Sequence, residues 1–228
     1  MPTAIVTGAS RGLGRALAEA LADRGWRLAI DARDGVALES AAAGLRTRTE
    51  VAALAGDVAD PAHRRALVAA AGERVDALVN NASALGPSPL PPLAALPLDR
   101  LEEVLRTNAV APLALVQEAL PRLVEGGRIV NVTSDAAVEA YAGWGGYGAS
   151  KAALEQLTAV LAVEHPALRV YAVDPGDMRT RMHQDAYPGE DIGDRSPPEV
   201  SVPGLLALLA GDLPSGRYSA RALAKAAA

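Results

Sequence analysis

Short apolar runs alternate with longer Ala- and Leu-rich stretches along the chain, and this alternation constrains the fold more than any other feature. The predicted strands lie near residues 3–7, 27–31, 50–55, 76–80, 127–132, 168–173 and 216–219. The predicted helices lie near residues 13–24, 35–44, 61–71, 99–123, 148–164 and 199–210. A repeated βα order predicts a parallel sheet with helices on both faces, and continuous apolar runs such as 128–132 are typical of its buried strands. We therefore expect a Rossmann-like, doubly wound α/β fold of about seven strands, with residues 1–228 in one domain.

Composition narrows the function classes. Half of the residues are apolar, the net charge is −5 and there is no cysteine, which excludes disulfides and thiolate chemistry. A mildly acidic chain has no basic footprint for nucleic acid or for a membrane surface, and no targeting segment precedes the first strand. His63, His165 and His183 are scattered without ligand spacing, so no metal site is expected. The chain is expected to be a cytoplasmic enzyme or binding protein for small molecules.

A glycine-rich turn joins the first strand to the first helix. It runs Thr7-Gly8-Ala9-Ser10-Arg11-Gly12-Leu13-Gly14. Small residues at this place let the backbone approach a pyrophosphate at the helix N-terminus, where free N–H groups and the helix dipole favour negative charge. The turn predicts a dinucleotide site, although its spacing is G-x-x-x-G-x-G instead of the more familiar G-x-G-x-x-G.

The end of the second strand carries conflicting signals for the choice of dinucleotide. An acidic residue there favours a ribose 2′-hydroxyl and an arginine favours a 2′-phosphate. The chain has both, as Asp31 and Arg33. Arg11 in the glycine turn adds a second cation nearby, so we expect NADP(H) to be favoured over NAD(H).

Tyr147 and Lys151 stand four residues apart at the start of a predicted helix and so share one helix face. Free tyrosine has a pKa of about 10, whereas a nearby ammonium favours the phenolate. The pair by itself is more often structural than functional. Ser134 strengthens the functional interpretation, because it follows a buried strand at the carboxyl edge where such sheets bind ligands.

Asn108 lies within the predicted helix 99–123, four residues before Pro112. Proline has no N–H to donate to the carbonyl four residues earlier, so the Asn108 carbonyl is expected to leave the helical ladder. A released carbonyl can hold an ordered water for proton transfer; the alternative is a kink with no chemical role.

Together these motifs resemble those of the short-chain dehydrogenase/reductase family. The matching segments, in chain order, are Thr7-Gly8-x-x-x-Gly12-x-Gly14, Asn80-Asn81-Ala82, Asn108, Ser134, Tyr147-x-x-x-Lys151 and Pro175-Gly176. The resemblance covers about residues 3–220. It implies an oxidoreductase that moves hydride between a nicotinamide dinucleotide and a ketone, aldehyde or secondary alcohol, in a homo-dimer or homo-tetramer.

The resemblance also implies residue roles. Tyr147 would be the general acid or base, Ser134 would position the substrate oxygen, Lys151 would bind the nicotinamide ribose, and Asn108 would hold a relay water. The implied cofactor contacts are Gly8, Ser10, Arg11, Gly12, Leu13, Gly14, Arg33, Asp57, Val58, Asn81, Ala82, Tyr147, Lys151, Pro175, Gly176 and Thr180.

Two features depart from the family pattern or lie outside it. The usual Asn-Asn-Ala-Gly reads Asn-Asn-Ala-Ser, which places the hydroxymethyl group of Ser83 near the cofactor. Residues 177–198 show no periodicity, as is typical of a substrate loop, and Trp144 is a candidate for the substrate wall. The substrate itself is not encoded in any motif.

Two alternatives stay open at this point. One is an epimerase or dehydratase that uses the same Tyr/Lys pair. The other is a non-catalytic dinucleotide-binding sensor or partner protein.

Overall fold

The computed structural model describes residues 1–226 and has one seven-stranded sheet in the order β3-β2-β1-β4-β5-β6-β7. Every neighbouring pair of strands is parallel. The strands are β1 Thr3–Val6, β2 Arg27–Ala32, β3 Val51–Ala55, β4 Val75–Asn80, β5 Leu123–Val132, β6 Arg169–Asp174 and β7 Gly216–Ser219. The predicted Rossmann-like single domain is confirmed.

The helices are α1 Gly12–Ala22, α2 Gly35–Leu45, α3 Pro61–Ala70, α4 Leu98–Leu105, α5 Ala111–Ala119, α6 Gly145–Glu164, α7 Arg181–Ala186, α8 Val202–Ala210 and α9 Ala220–Ala226. Alternate residues of β1 pack on opposite sides of the sheet. Ala4 and Val6 belong to a core with α1, α2 and α8, whereas Ile5 belongs to a core with α3, α5 and α6. Both faces are therefore buried, which explains the unbroken apolar runs of the strands.

Aspartates fix the starts of α2 and α3. The side chain of Asp34 accepts a hydrogen bond from the Ala37 N–H, and that of Asp60 accepts one from the Ala62 N–H. Each satisfies a backbone donor that the first helical turn leaves unpaired. In contrast, α1 follows Arg11 and has no side-chain cap.

The predicted helix 99–123 was wrong in its interior and at its end. A π-helical turn, Arg106–Val110, separates α4 from α5. Pro112 follows this turn, and a residue without an N–H disturbs the regular helical ladder. A short 3₁₀ turn ends the helix at Leu120–Arg122, so β5 begins at Leu123, four residues before its predicted start.

The segment 177–198 is only partly irregular, because it contains the short helix α7. The Thr180 side chain caps α7 by accepting a hydrogen bond from the His183 N–H. A 3₁₀ turn at Pro198–Ser201 shifts the start of α8 to Val202. None of the helices described within residues 1–226 has the length and hydropathy needed to span a membrane.

Candidate active site

The glycine turn between β1 and α1 leaves no space for a side chain at Gly8 or Gly14. A Cβ on Gly14 would lie 2.4 Å from the Gly8 carbonyl oxygen and 2.5 Å from Nδ2 of Asn81. Gly8 has φ +67°, and a Cβ there would lie 2.9 Å from Cα of Ala82. Asn81 Nδ2 donates to the carbonyl oxygens of Thr7 and Gly8 at 2.9 and 3.2 Å. The loop after β4 therefore holds the turn in place, and the side-chain nitrogen of Asn81 makes both of these hydrogen bonds.

The start of α1 has backbone donors of the kind that can bind an anion. Because no side chain caps α1, the N–H groups of its first turn face the cleft without a side-chain acceptor. The segment 177–198 closes the other side, since a Cβ on Gly12 would lie 3.5 Å from Cγ2 of Thr180. Ser10 and Leu13 are buried, so Leu13 packs into the core and offers only its backbone to a ligand.

The side chain of Asp31, near the end of β2, is buried, and both of its carboxylate oxygens have partners within the protein. Its Oδ1 accepts a hydrogen bond from the Gly8 N–H at 2.9 Å, and its Oδ2 lies 2.9 Å from Nε2 of His63. The Asp31 side chain is only 1% exposed. Its carboxylate, together with the negative charges of Asp60 and Asp57, raises the pKa of His63. The one residue that argued for a ribose 2′-hydroxyl is therefore a support of the glycine turn.

Two arginines lie near Asp31, at the same carboxyl edge of the sheet. Arg33 follows the last residue of β2 and is exposed to solvent. Arg11 is also exposed and lies 3.2 Å from the carboxylate of Asp34. This edge thus presents accessible guanidinium groups, while the nearby Asp31 carboxylate is buried.

Tyr147 and Lys151 lie on α6 beside the end of β5. Both are buried, at 9% and 2% exposure. The ammonium of Lys151 is 5.5 Å from the centroid of the Tyr147 ring and donates to the Val132 carbonyl oxygen at 2.8 Å. Burial lowers the pKa of Lys151 to about 8. The helix places the pair as its i,i+4 spacing predicts.

The protein's own residues do not lower the pKa of Tyr147 as the sequence led us to expect. Burial raises that pKa to about 12, and the charges of Asp135 and Asp174 add to the effect. The polar side chain of Ser83 acts in the opposite direction and lowers that pKa. The Lys151 ammonium donates to the Val132 carbonyl oxygen. Tyr147 is therefore a phenol at neutral pH unless another cation joins it.

Ser134 follows β5 by two residues and faces an acidic neighbour. Its hydroxyl donates to Oδ1 of Asp135 at 2.8 Å and accepts from the Ala136 N–H at 3.2 Å. Asp135 also accepts from the Tyr141 hydroxyl at 3.1 Å. The Ser134 hydroxyl must turn away from Asp135 before it can hold a substrate oxygen.

Asn108 is completely buried within the π-helical turn. Its Nδ2 donates to the Ala84 carbonyl oxygen at 2.8 Å and to Oγ of Ser150 at 2.9 Å. Its Oδ1 accepts from the Ala84 N–H at 2.7 Å and from the Ser83 hydroxyl at 3.2 Å. The side chain thus ties the loop after β4 to α6, which leaves only its main chain for the predicted relay water.

The remaining predicted cofactor contacts lie around the same edge of the sheet. Asp57 is exposed and Val58 is buried. The Pro175 carbonyl oxygen accepts from Oγ of Ser201 at 2.7 Å, and Gly176 has φ +72°. All of these follow the carboxyl ends of β3 and β6, where ligands of such sheets bind.

Sequence reasoning named only one of the two aromatic residues that lie near Tyr147. Trp144, the candidate wall residue, stacks edge-on against Tyr147 with ring centroids 5.6 Å apart, and Tyr187 lies 6.0 Å from Trp144. Tyr187 carried no local signal, because residues 177–198 lack periodicity. Ser83 was noted only as a departure from a motif, yet its hydroxyl donates to Oδ1 of the buried Asn108. Among the described residues no cluster of three or more His, Cys, Asp or Glu has metal-site geometry.

Comparison with known proteins shows the family of the chain. The family model described as short chain dehydrogenase matches residues 2–191. A rhamnolipid-biosynthesis 3-oxoacyl-[acyl-carrier-protein] reductase of Pseudomonas aeruginosa is 35% identical over 195 residues, which cover 78% of this chain and 73% of that protein.

Solved structures show the same likeness. A short chain dehydrogenase from Pseudomonas syringae superposes with a TM-score of 0.90 at 30% identity, covering 96% of this chain and 94% of the other. A short chain dehydrogenase from Shigella flexneri complexed with NADP has a TM-score of 0.89 at 29% identity, covering 96% and 97%. With the parallel sheet, the glycine turn and the buried Tyr/Lys pair at one edge, these matches show that the chain belongs to the short-chain dehydrogenase family.

Proposed function

We propose that the protein is an NADP(H)-dependent oxidoreductase that interconverts a ketone or aldehyde and the corresponding alcohol. The observation that carries the proposal is the position of Tyr147. Its buried phenol stands at the sheet edge that also holds the glycine turn, so a dinucleotide in that turn would extend toward it. The resemblance to a 3-oxoacyl-[acyl-carrier-protein] reductase and to an NADP-complexed dehydrogenase supports this proposal.

Tyr147, Ser134 and Lys151 have separate roles in the proposed reaction. A bound nicotinamide supplies the hydride and, once oxidised, a positive charge. In reduction Tyr147 donates its hydroxyl proton to the carbonyl oxygen; in oxidation it accepts the proton of the alcohol. Ser134 turns from Asp135 and donates to the same oxygen, which holds it within reach of the phenol. Lys151 offers its remaining ammonium hydrogens to the ribose hydroxyls, and its charge then lies beside the phenol.

The raised pKa of Tyr147 suits the acid role. At neutral pH the phenol is fully protonated in the protein alone, so reduction starts from the competent form. Oxidation needs the phenolate and is expected to accelerate as the pH rises.

Tyr147→Phe is the decisive variant. It removes the hydroxyl and keeps the ring that packs on Trp144, so the fold and NADPH binding should persist. We expect turnover of a carbonyl panel, followed as NADPH consumption at 340 nm, to fall by about 10²-fold or more, in keeping with the contribution of a positioned acid.

The other outcomes of this experiment are informative. Normal turnover by Tyr147→Phe would refute the mechanism. A wild-type protein that binds NADPH but reduces nothing in a broad panel would favour the non-catalytic sensor.

The preference for NADP(H) follows from the arginines. Arg33 and Arg11 are accessible to a 2′-phosphate, whereas Asp31 is occupied by Gly8 and His63. A charge-assisted hydrogen bond contributes about 1.5–3 kcal/mol, so Arg33→Ala should lower kcat/KM for NADPH by about tenfold or more.

The same substitution should leave kcat/KM for NADH nearly unchanged. Arg24→Ala is the matched control, because it removes an exposed arginine beyond the opposite end of α1. Equal losses with both dinucleotides in Arg33→Ala, or a wild-type preference for NADH, would contradict the assignment.

We further propose that the protein forms a homo-dimer or homo-tetramer through the layer of α4, α5 and α6. Val110 and Val163 on this layer are exposed by 58% and 81%, and apolar side chains at such exposure favour a contact between copies. Light scattering after size exclusion should give a multiple of 23.3 kDa, and a monomer at micromolar concentration would argue against this assembly.

A further inference from the structure

His63 is a buried titratable side chain that the chemistry outlined above does not use. Its side chain is 7% exposed, and its Nε2 lies 2.9 Å from Oδ2 of Asp31. The imidazole fits there because Gly56 has no side chain: a Cβ on Gly56 would lie 2.2 Å from Nδ1 of His63. Gly56 directly follows β3, so the end of that strand leaves room for an imidazole beside Asp31.

Asp31 connects His63 to the glycine turn. Its Oδ1 accepts a hydrogen bond from the Gly8 N–H at 2.9 Å, and its main-chain oxygen accepts one from the Ala9 N–H at 2.9 Å. The two carboxylate oxygens therefore have one partner each, Gly8 and His63. Rotation of the carboxylate would break both contacts, so His63 fixes the direction in which Asp31 presents its charge to the turn.

The protonation state of His63 sets the net charge of this buried pair. A protonated imidazole makes the pair neutral, whereas a neutral imidazole leaves it with the negative charge of Asp31. The hydrogen bond with Asp31 raises the pKa of His63, burial opposes this effect, and nearby negative charges raise the pKa further. Those charges belong to Asp31 itself and to Asp57 and Asp60, which precede α3. The guanidinium of Arg64, the next residue, donates to a main-chain oxygen before α3 and to a carboxylate of α5.

The pair lies at the end of β2, where doubly wound dinucleotide folds discriminate between a ribose 2′-hydroxyl and a 2′-phosphate. Arg33, the proposed partner of a 2′-phosphate, follows Asp31 by two residues. A negative pair beside Arg33 would repel the phosphate, and a neutral pair would not. The 2′-hydroxyl of NAD(H) carries no charge, so its binding should respond much less to the charge of the pair.

We propose, on the basis of the proposed dinucleotide site, that the imidazolium of His63 sets the preference for NADP(H) by holding the Asp31 carboxylate against the glycine turn and cancelling its charge beside the 2′-phosphate. His63 is a positioning residue that acts through Asp31. Protonation of His63 and binding of the 2′-phosphate are then coupled, and each favours the other by the same factor.

His63→Gln is the first test, with the Kd values for NADPH and NADH measured by fluorescence titration. Glutamine can keep a hydrogen bond to Asp31 but cannot carry a charge. The Kd for NADPH should rise about tenfold and that for NADH less than about twofold. Addition of Asp31→Asn removes the uncompensated carboxylate and should bring the Kd for NADPH back to within about threefold of the wild-type value. A merely structural role predicts a further loss in the double variant.

The pH dependence is the second test. His63 is protonated below its raised pKa, so the wild-type preference for NADPH over NADH should be strongest at low pH. From about pH 6 to about pH 9 that preference should fall about tenfold, and His63→Gln should lack this step. The 2′-phosphate itself titrates near about pH 6 in every variant, so the difference between wild type and His63→Gln isolates the histidine. In NMR titrations, NADPH should raise the pKa of His63 by about one pH unit more than NADH does.

His165→Gln is the matched control. His165 is a partly exposed histidine that follows α6 and precedes β6, at the opposite edge of the sheet. Its substitution should change neither Kd value, and the pH dependence of the preference should stay as in the wild type.

The outcomes separate the role of His63 from the proposed function. If the wild-type protein binds neither dinucleotide, the proposed function fails and the role of His63 with it. If the wild type prefers NADPH and His63→Gln keeps that preference at every pH, or weakens NADPH and NADH equally, His63 only supports the fold while the proposed function stands. Loss of the pH-dependent step in His165→Gln would also overturn the role of His63.

Discussion

The ammonium of Lys151 lies in the protein interior and makes a hydrogen bond to the Val132 carbonyl oxygen. Burial lowers its pKa from the usual 10.5 to about 8, because a charge loses its hydration there. At about 1.4 kcal/mol per pH unit this lowering corresponds to about 3 kcal/mol of destabilisation below pH 8. The residue is costly to the fold, which is expected of a group kept for its chemistry.

Lys151→Met should therefore stabilise the protein and inactivate it. After subtracting about 1 kcal/mol for the lost hydrogen bond to Val132, we expect a gain of about 2 kcal/mol in the free energy of unfolding at pH 7. Between pH 8 and 10.5 the unfolded chain binds a proton that the native lysine releases, so wild-type stability rises with pH across this window. The gain should shrink accordingly when urea unfolding is repeated near pH 10.

Lys225→Met tests whether the effect depends on burial. Lys225 is exposed in α9, and its substitution should change the free energy of unfolding by less than about 0.5 kcal/mol. A Lys151→Met variant that is less stable at pH 7, or a gain that does not depend on pH, would contradict the account.

At the level of elements, two glycines in helices differ in the space that each leaves for a side chain. A Cβ on Gly14, in the first turn of α1, would overlap the Gly8 carbonyl and the Asn81 side chain, whereas a Cβ on Gly44 in α2 would meet no atom within 4 Å. The same substitution to alanine is thus an overpacking change at one site and a gain in helix propensity at the other.

Gly14→Ala should lower the free energy of unfolding by about 1–3 kcal/mol and weaken NADPH binding, because the glycine turn must move. Gly44→Ala should raise the free energy of unfolding by up to about 1 kcal/mol and leave NADPH binding unchanged. Chemical denaturation and NADPH fluorescence titration measure both effects. Tight NADPH binding by Gly14→Ala would show that the close packing of the turn does not matter for the cofactor.

The π-helical turn between α4 and α5 connects two parts of the candidate site. It carries Asn108, whose side chain reaches the loop after β4 on one side and Ser150 of α6 on the other. Because π-helical turns are rare and cluster at functional sites, its contact with Ser150, three residues after Tyr147 on α6, fits the proposed chemistry.

At the level of the whole molecule, the strand order creates the cleft. The order reverses between β1 and β4, which both neighbour the glycine turn. Connections leave β1 and β4 toward opposite faces of the sheet, and a crevice opens at their carboxyl ends. The glycine turn, the loop carrying Ser83 and the end of β5 all reach this crevice.

A ligand that binds only the native crevice must stabilise the whole domain. At a concentration about 100 times its Kd, NADPH should raise the free energy of unfolding by about 2.7 kcal/mol. For a domain of this size that corresponds to an increase of about 5–10 °C in Tm. Differential scanning calorimetry measures the shift, and NADH at the same concentration should give a smaller one. The absence of any shift at millimolar NADPH would argue against a dinucleotide site.

The sequence by itself determined the elements and the position of the chemistry. Strand and helix periods are local, so the βα order, the glycine turn and the shared helix face of Tyr147 and Lys151 follow from neighbouring residues. It also indicated an irregularity near Pro112, since the loss of one N–H is a local effect.

Only the tertiary structure decided what these groups contact. Asp31 is bound by His63, 32 residues away, and Ser83 by Asn108, 25 residues away. Ser134 faces Asp135, and β5 begins early because Leu123 pairs with Val75 of β4. No local period encodes such partners, because hydrogen bonds and burial across the sheet depend on how distant segments pack. That packing makes Asp31 a support of the glycine turn, and it makes Ser83 a hydrogen-bond partner of the buried Asn108.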